Sequence, residues 1–209
     1  MKHIQKLRKL LLTLAVLMLA VQASFATSAS YVDGSGTSQT VEATELETAT
    51  TNWTDDSWYI VPEGGVTISS RITVNGTVNL ILRDGAELKA NAGVTTTNAT
   101  LNIYAQSAGT GALTAKGGNG GYSVGGGAGI GGSGGPSDSN GGAGGTVNIY
   151  GGTVTATGGT GGIGSGGGAG IGGGGGSNGG NGGAGGTVNI YGGTVTATGS
   201  NSEKYGGVG

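Results

Sequence analysis

One segment of this 209-residue chain is written twice. Residues 146–158 read TVNIYGGTVTATG, and residues 187–199 read the same, a shift of 41 positions. The stretch GGGAGIGG at 125–132 returns at 166–173 with that shift. A period of this size marks an architecture of stacked units, none of which can bury its apolar side alone. In one copy the large apolar residues are chiefly Val147, Ile149, Val154 and Ile171. Burying four such side chains cannot offset the entropy of ordering a whole unit, so hydrogen bonding to the units above and below has to supply the rest.

Within a unit the apolar period is two, which reads as strand. Val147 and Ile149 share one face, while Thr146, Asn148 and Tyr150 share the other. Val154 and Ala156 point inward between Thr153, Thr155 and Thr157. Leu101, Ile103, Leu113 and Ala115 fill the same inward places in an earlier, degenerate copy, and Ala128 with Ile130 and Ala169 with Ile171 form a third apolar touch. Upstream, strands are predicted at 58–61, 66–68, 71–74, 77–82, 86–90, 100–105 and 112–115, with a weak one at 39–43. Turn signals separate them: PEGG at 62–65, Asn75-Gly76 and Asp84-Gly85. No segment has helical periodicity over a helix's length. The expected fold is all-β: a parallel β-helix (β-solenoid), expected to be right-handed, with three short strands per turn.

Glycine divides the chain. Of 53 glycines only 7 precede Ala108. Strict Gly-X-Y triplets are absent and β-branched strands interrupt the runs, which excludes a collagen-like fibre and argues against simple disorder. The runs 158–168 and 172–186 offer almost nothing apolar to bury. They are either mobile or close-packed, and the composition favours partly ordered Gly-rich excursions on one side of the β-helix.

The ends carry expectations of their own. Lys2, Lys6, Arg8 and Lys9 precede an uncharged run at 10–21, and Ser24 and Ala26 suit cleavage after Ala26, so residues 1–26 read as a secretory signal peptide. That run has 12 residues, whereas a membrane span needs about 20. Residues 27–57 read as a Ser/Thr-rich lead-in and N-terminal cap, and 58–209 as β-helix repeats. Residues 206–209 align with 167–170, so the chain is expected to stop inside a further copy, as part of a longer protein. Without residues 1–26 the chain has 5 basic against 11 acidic residues, a net of −6. Such a surface disfavours nucleic acid and anionic lipid as partners. The absence of cysteine removes disulfides and thiolate metal sites.

Taken together, WYIV at 58–61, VTISSRITV at 66–74, VNLIL at 78–82, DGAEL at 84–88, LNIYAQ at 101–106, the AGIGG segments and GGTVTATG resemble a known group. They are similar to the Gly-rich parallel β-helix surface proteins that gut-type anaerobic bacteria secrete. The resemblance covers the chain from about Tyr31 onward. It implies an extracellular, cell-surface location and further domains on the same longer chain. By analogy with related β-helices it also implies contact with polysaccharide or a host glycan, and no cofactor.

For catalysis the inventory is short. The one histidine is His3, inside the signal segment, which excludes a His-based triad or zinc site in the remainder. A β-helix lyase or hydrolase would need clustered acids beside an arginine, for which Asp84, Glu87 and Arg83 are the best set, with Asp55-Asp56 next. The plainer reading gives Asp84 to its turn, Asp55 and Asp56 to a solvated loop, and Arg71 and Arg83 to outward or capping positions. Calcium-binding Gly-rich repeats need an Asp that GGNGG at 117–121 and 179–183 does not supply.

The outward rows are the better candidates. Tyr104, Tyr150 and Tyr191 recur at one place, beside Asn102, Asn148 and Asn189. Aromatic rings flanked by amides can stack on sugars and bond their hydroxyls. The plainer reading, which ranks ahead of a sugar site, is a structural ladder, with tyrosines stacking along the β-helix and asparagines pairing between units. Thr153, Thr155, Thr157 and Thr194, Thr196, Thr198 form rows able to order water, although threonine is also simply a good strand residue. Trp53, Trp58 and Tyr59 read as an aromatic cap over the first turn. The sequence therefore points to a non-enzymatic, structural and adhesive protein with polysaccharide contact. A polysaccharide lyase or hydrolase, or a pure spacer for other domains, is the alternative.

Overall fold

The computed structural model describes residues 26–202, so all but Ala26 of the expected signal segment 1–26, and the partial copy at 206–209, lie outside the described residues. The fold is all-β, with no helix among the described residues. Three sheets carry it. The first contains β1 (Ala26–Val32), β2 (Ser38–Glu45), β4 (Ser57–Ile60), β7 (Thr77–Leu82), β10 (Thr100–Ala105), β13 (Thr146–Ile149) and β16 (Thr187–Ile190). The second contains β5 (Val66–Ile68), β8 (Glu87–Ala90), β11 (Ala112–Lys116), β14 (Thr153–Thr157) and β17 (Thr194–Thr198). The third contains β3 (Asn52–Trp53), β6 (Ile72–Val74), β9 (Val94–Thr95), β12 (Ile130–Gly131) and β15 (Ile171–Gly172).

From β3 onward, consecutive strands go to the third, first and second sheets in strict rotation, and every pairing between rounds is parallel. Register is fixed by like on like. Thr146 to Ile149 lie opposite Thr187 to Ile190, and Val154 opposite Val195. The inward positions form one core running through the rounds, with Leu80, Ile103 and Ile149 from the first sheet, Leu88, Leu113 and Val154 from the second, and Ile72, Val94 and Ile130 from the third. Leu46 and Trp53 belong to the same core. Alternation puts these residues inside and threonine, asparagine and tyrosine outside.

At the N-terminal end β1 and β2 form an antiparallel hairpin, and β2 joins β4 only through Thr44 and Glu45. The rest of the hairpin lies over the outer face of the first sheet, where Ala29 and Ala43 bury Ile60 and Ile81 in a second apolar cluster. The turn is pinned by Asp33. Its carboxylate accepts from the Ser35 backbone N–H (2.9 Å) and hydroxyl (2.6 Å), the Thr37 N–H (3.0 Å) and the Gln39 amide (2.9 Å). These donors, the Ser35 hydroxyl first, hold that carboxyl well below the usual carboxylate range.

The glycine runs are ordered and close-packed, contrary to the expectation of partly ordered excursions. Each of the two long rounds sends out four extended arms, at 117–121, 124–128, 132–136 and 139–144, then at 158–162, 165–169, 173–177 and 180–185. Arm 124–128 bonds to its neighbours in its own layer, through Gly127 N–H to Gly118 O and Gly125 N–H to Gly135 O, both 2.9 Å. It bonds also to three arms of the next layer, through Gly126 N–H to Gly166 O (2.9 Å), Gly159 N–H to Gly127 O and Gly175 N–H to Gly126 O (both 2.8 Å). Backbones this close leave no room for side chains. A Cβ on Gly126 would fall on the Gly159 carbonyl, and one on Gly131 on the Gly172 carbonyl. The composition misled because burial here is of peptide groups, not apolar side chains.

Arg71 ties this array to the core. Expected outside or at a cap, it is instead largely buried, its Nε donating to Thr95 Oγ1 (2.7 Å) and its two terminal nitrogens to the carbonyls of Ala92 (2.9 Å), Ala128 (3.0 Å), Gly131 (3.2 Å) and Gly132 (2.9 Å). Burial lowers its pKa from the usual arginine value, yet arginine's high intrinsic basicity keeps it charged. Three of these carbonyls, those of Ala128, Gly131 and Gly132, lie in or beside β12, within the first glycine layer.

Two substitution sets test this packing by urea denaturation. Gly126→Ala is expected to cost at least about 2 kcal/mol, because backbone must move to admit the Cβ. Gly118→Ala meets nothing within 4 Å at an ordinary φ, and should stabilise by about 0.4–1 kcal/mol. Arg71→Met leaves the Ala92 and Ala128 carbonyls without their donor, while those of Gly131 and Gly132 keep the Thr96 and Ala128 N–H groups; it is expected to cost about 2–3 kcal/mol, with Arg71→Lys between it and the parent protein.

Candidate functional site

Parallel register carries the outward residues of the first sheet into two columns. One runs Trp58, Asn79, Asn102, Asn148, Asn189. The other runs Ile60 and Ile81 to Tyr104, and is continued by Tyr150 and Tyr191, one residue past β13 and β16. The asparagines form a continuous amide chain. Asn102 Nδ2 donates to Asn79 Oδ1 (2.9 Å), Asn148 Nδ2 to Asn102 Oδ1 (2.8 Å), and Asn189 Nδ2 to Asn148 Oδ1 (2.8 Å). Asn79 was not anticipated. Its signal was a 23-residue spacing to Asn102 in the degenerate upstream rounds, half the 46 that separates Asn102 from Asn148.

The tyrosines stack. Tyr104 and Tyr150 have ring centroids 4.6 Å apart and planes 4° from parallel, and Tyr150 and Tyr191 are 4.8 Å and 8° apart. That distance is the spacing of neighbouring strands, so the ladder geometry follows from sheet pairing. Below Tyr104 the stack continues into Trp58 (5.3 Å, 25°), and Tyr31 of the hairpin packs on both, 4.9 Å from Tyr104 and 4.6 Å from Trp58. Gly34 of the hairpin turn lies against the Tyr150 ring, where a Cβ would come within 3.0 Å. Gln106 Nε2 donates to the Ser30 carbonyl (3.2 Å) and so helps hold β1 down. Tyr104 and Tyr150 are therefore half-buried, with neighbours on both faces of each ring. Tyr191 is 62 % exposed and keeps one face open.

The remaining sequence candidates are engaged with other groups. Trp53 and Tyr59 stack inside the core at 5.4 Å while Trp58 sits on the outer face, so the three do not form one cap. Asp84 accepts from the backbone of Ala108 (2.9 Å) and Thr110 (3.0 Å), Glu87 from the Thr114 hydroxyl (2.6 Å), and Arg83 pairs with Glu45 and donates to the Val61 carbonyl. Asp55 accepts from Thr77 N–H (2.7 Å). Each of these groups fastens one round to another or closes a turn. Thr153, Thr155 and Thr157 lie in register with Thr194, Thr196 and Thr198 on the second sheet. No family model, no curated protein and no solved structure matches the chain.

Burial pushes the Tyr104 phenol up to about 12, and the nearby phenols of Tyr150 and Tyr31 and the Asp33 carboxylate add to it. Its ordinary value is 10.0. Below that value both folded and unfolded chains hold the proton and stability is unaffected. Between pH 10 and 12 only the unfolded chain ionises, so stability should fall, then level off. Tyrosinate absorbance against pH, with Tyr104→Phe as the comparison, should show one late-titrating phenol that the variant lacks.

Proposed function

We propose that this chain is a parallel β-helix of the secreted bacterial surface type, non-enzymatic, with a structural and adhesive role in contact with polysaccharide. The observation that carries the structural part is that the recurrent outward rows bond one round to the next. The amide chain, the tyrosine stack and the glycine array each repeat with the strands, which makes a stiff rod whose surface pattern recurs along its length. Such a rod suits display and multivalent contact, where weak interactions add through effective concentration.

Polysaccharide contact along the tyrosine row would use particular atoms. The faces of Tyr104 and Tyr150 are occupied, which leaves phenol hydroxyls, ring edges, the second amide hydrogens of Asn148 and Asn189, and the open face of Tyr191. Hydroxyls and amides about one strand spacing apart match the dense donor and acceptor pattern of a glycan chain better than an apolar ligand.

Incubation of the full chain with pectin, xylan and chitin tests the reading directly. The expected result is retention on at least one insoluble polymer with no new reducing ends and no unsaturated product. Product release would replace the adhesive reading by a lyase or hydrolase. Failure to be retained on any polymer or glycan array would leave a spacer.

A further inference from the structure

The tips of the glycine arms hold a second candidate surface, unlike the tyrosine row in its exposure. Four β-turns lie along this edge, closed by Val124 N–H to Gly121 O (3.1 Å), Ser139 N–H to Pro136 O (3.1 Å), Ser165 N–H to Gly162 O (3.0 Å) and Gly180 N–H to Ser177 O (2.7 Å). They are neighbours. The second-layer turn at 162–165 sits on 121–124, with Gly162 N–H donating to Val124 O (3.0 Å), and 177–180 sits on 136–139, with Ser177 N–H donating to Ser139 O (3.0 Å). Side by side, Asn178 Oδ1 lies 3.8 Å from where a Cβ on Gly164 would stand.

These turns are fixed from behind. Ser123, Asp138, Gly164, Asn178 and Gly179 take left-handed backbone, as tight turns of these kinds require. The Ser177 hydroxyl bonds the Pro136 carbonyl and accepts from Ser139 N–H, and Asn178 Nδ2 donates to Asp138 Oδ1 at 2.6 Å. A rigid scaffold that presents turn residues is the usual layout of a binding surface.

What the turns present is specific in kind. Tyr122 is 81 % exposed and Ile163, its counterpart in the next layer, 46 %. Among the described residues no other ring packs on Tyr122, so both its faces are open, in contrast to Tyr104 and Tyr150. The same edge carries exposed or half-exposed Asn119, Ser123, Asp138 and Asn178, all amide, hydroxyl or carboxylate. An aromatic platform with open faces, sharing an edge with such groups on a pre-ordered backbone, fits a saccharide: the ring covers the sugar's C–H face and the polar groups take its hydroxyls.

We propose that this edge, centred on Tyr122 with Asp138 and Asn178, is a saccharide-binding site. It rests on the polysaccharide reading above and places the principal contact on the arm tips instead of the tyrosine row.

The test uses the full chain, Tyr122→Ala and Tyr191→Ala on a printed glycan array and on insoluble xylan, chitin and pectin. Because Tyr122 packs on no other ring, Tyr122→Ala should melt with the parent protein. The expected result is at least a ten-fold loss of saccharide affinity in Tyr122→Ala, as for an aromatic anchor, with a smaller loss in Tyr191→Ala. Saccharide binding that persists in Tyr122→Ala would overturn this site while leaving the polysaccharide reading in place. Absence of saccharide binding by the parent protein, including capture of protein partners alone, would overturn both.

Discussion

Parallel pairing in register is the constraint from which the other features descend. Once Val147 lies on Val188 and Asn148 on Asn189, every side chain meets its counterpart at one strand spacing, about 4.7–4.9 Å. Each outward position must then tolerate a like neighbour at that distance. Asparagine does so by amide-to-amide bonding and tyrosine by ring stacking, whereas a column of like charges would repel. The inward columns accept Val, Leu and Ile for the same reason, since like shapes nest. The hairpin, the stacked tyrosines and the turn-holding carboxylates all depend on this repeat distance.

In the second half of the chain the constraint changes medium. The glycine arms have almost no side chains to nest, and they satisfy their peptide groups by bonding in several directions at once, within a layer and between layers. What keeps them together is the geometry of backbone donors and acceptors, with Cβ excluded. Arg71 joins the two regimes. Its guanidinium offers five donors in a plane, and it directs them to carbonyls and a hydroxyl at the boundary where apolar core gives way to peptide lattice. One charged residue thus stands where neither apolar burial nor strand pairing suffices.

The sequence told much of this plainly. Apolar spacing between turn signals located β5, β7 and β10 at their observed bounds, and alternation assigned the inward faces of Leu101, Ile103, Val147 and Val154, where strand period and burial coincide. Two-residue strands such as β3 and β9 were not legible, since two residues carry no period. The packing of the glycine arms was hidden as well, because hydrophobicity does not measure peptide burial. Of the site residues, the repeat brought Tyr104, Tyr150 and Tyr191 into one row and Asn102, Asn148 and Asn189 into another. Neither Tyr31 folding onto Tyr104 nor the gathering of the turns that carry Tyr122, Asp138 and Asn178 along one edge could be read, because both depend on how distant segments return in space.

The N-terminal hairpin bears on how the molecule comes into being. It closes over Trp58, Ile60 and Ile81 at one end of the stack, and every later round pairs with a round at most 46 positions before it. Loop closure over such lengths costs little and does not grow as the chain lengthens. A chain delivered N-terminus first can therefore assemble as a crystal grows from a seed, each new layer copying the face of the last.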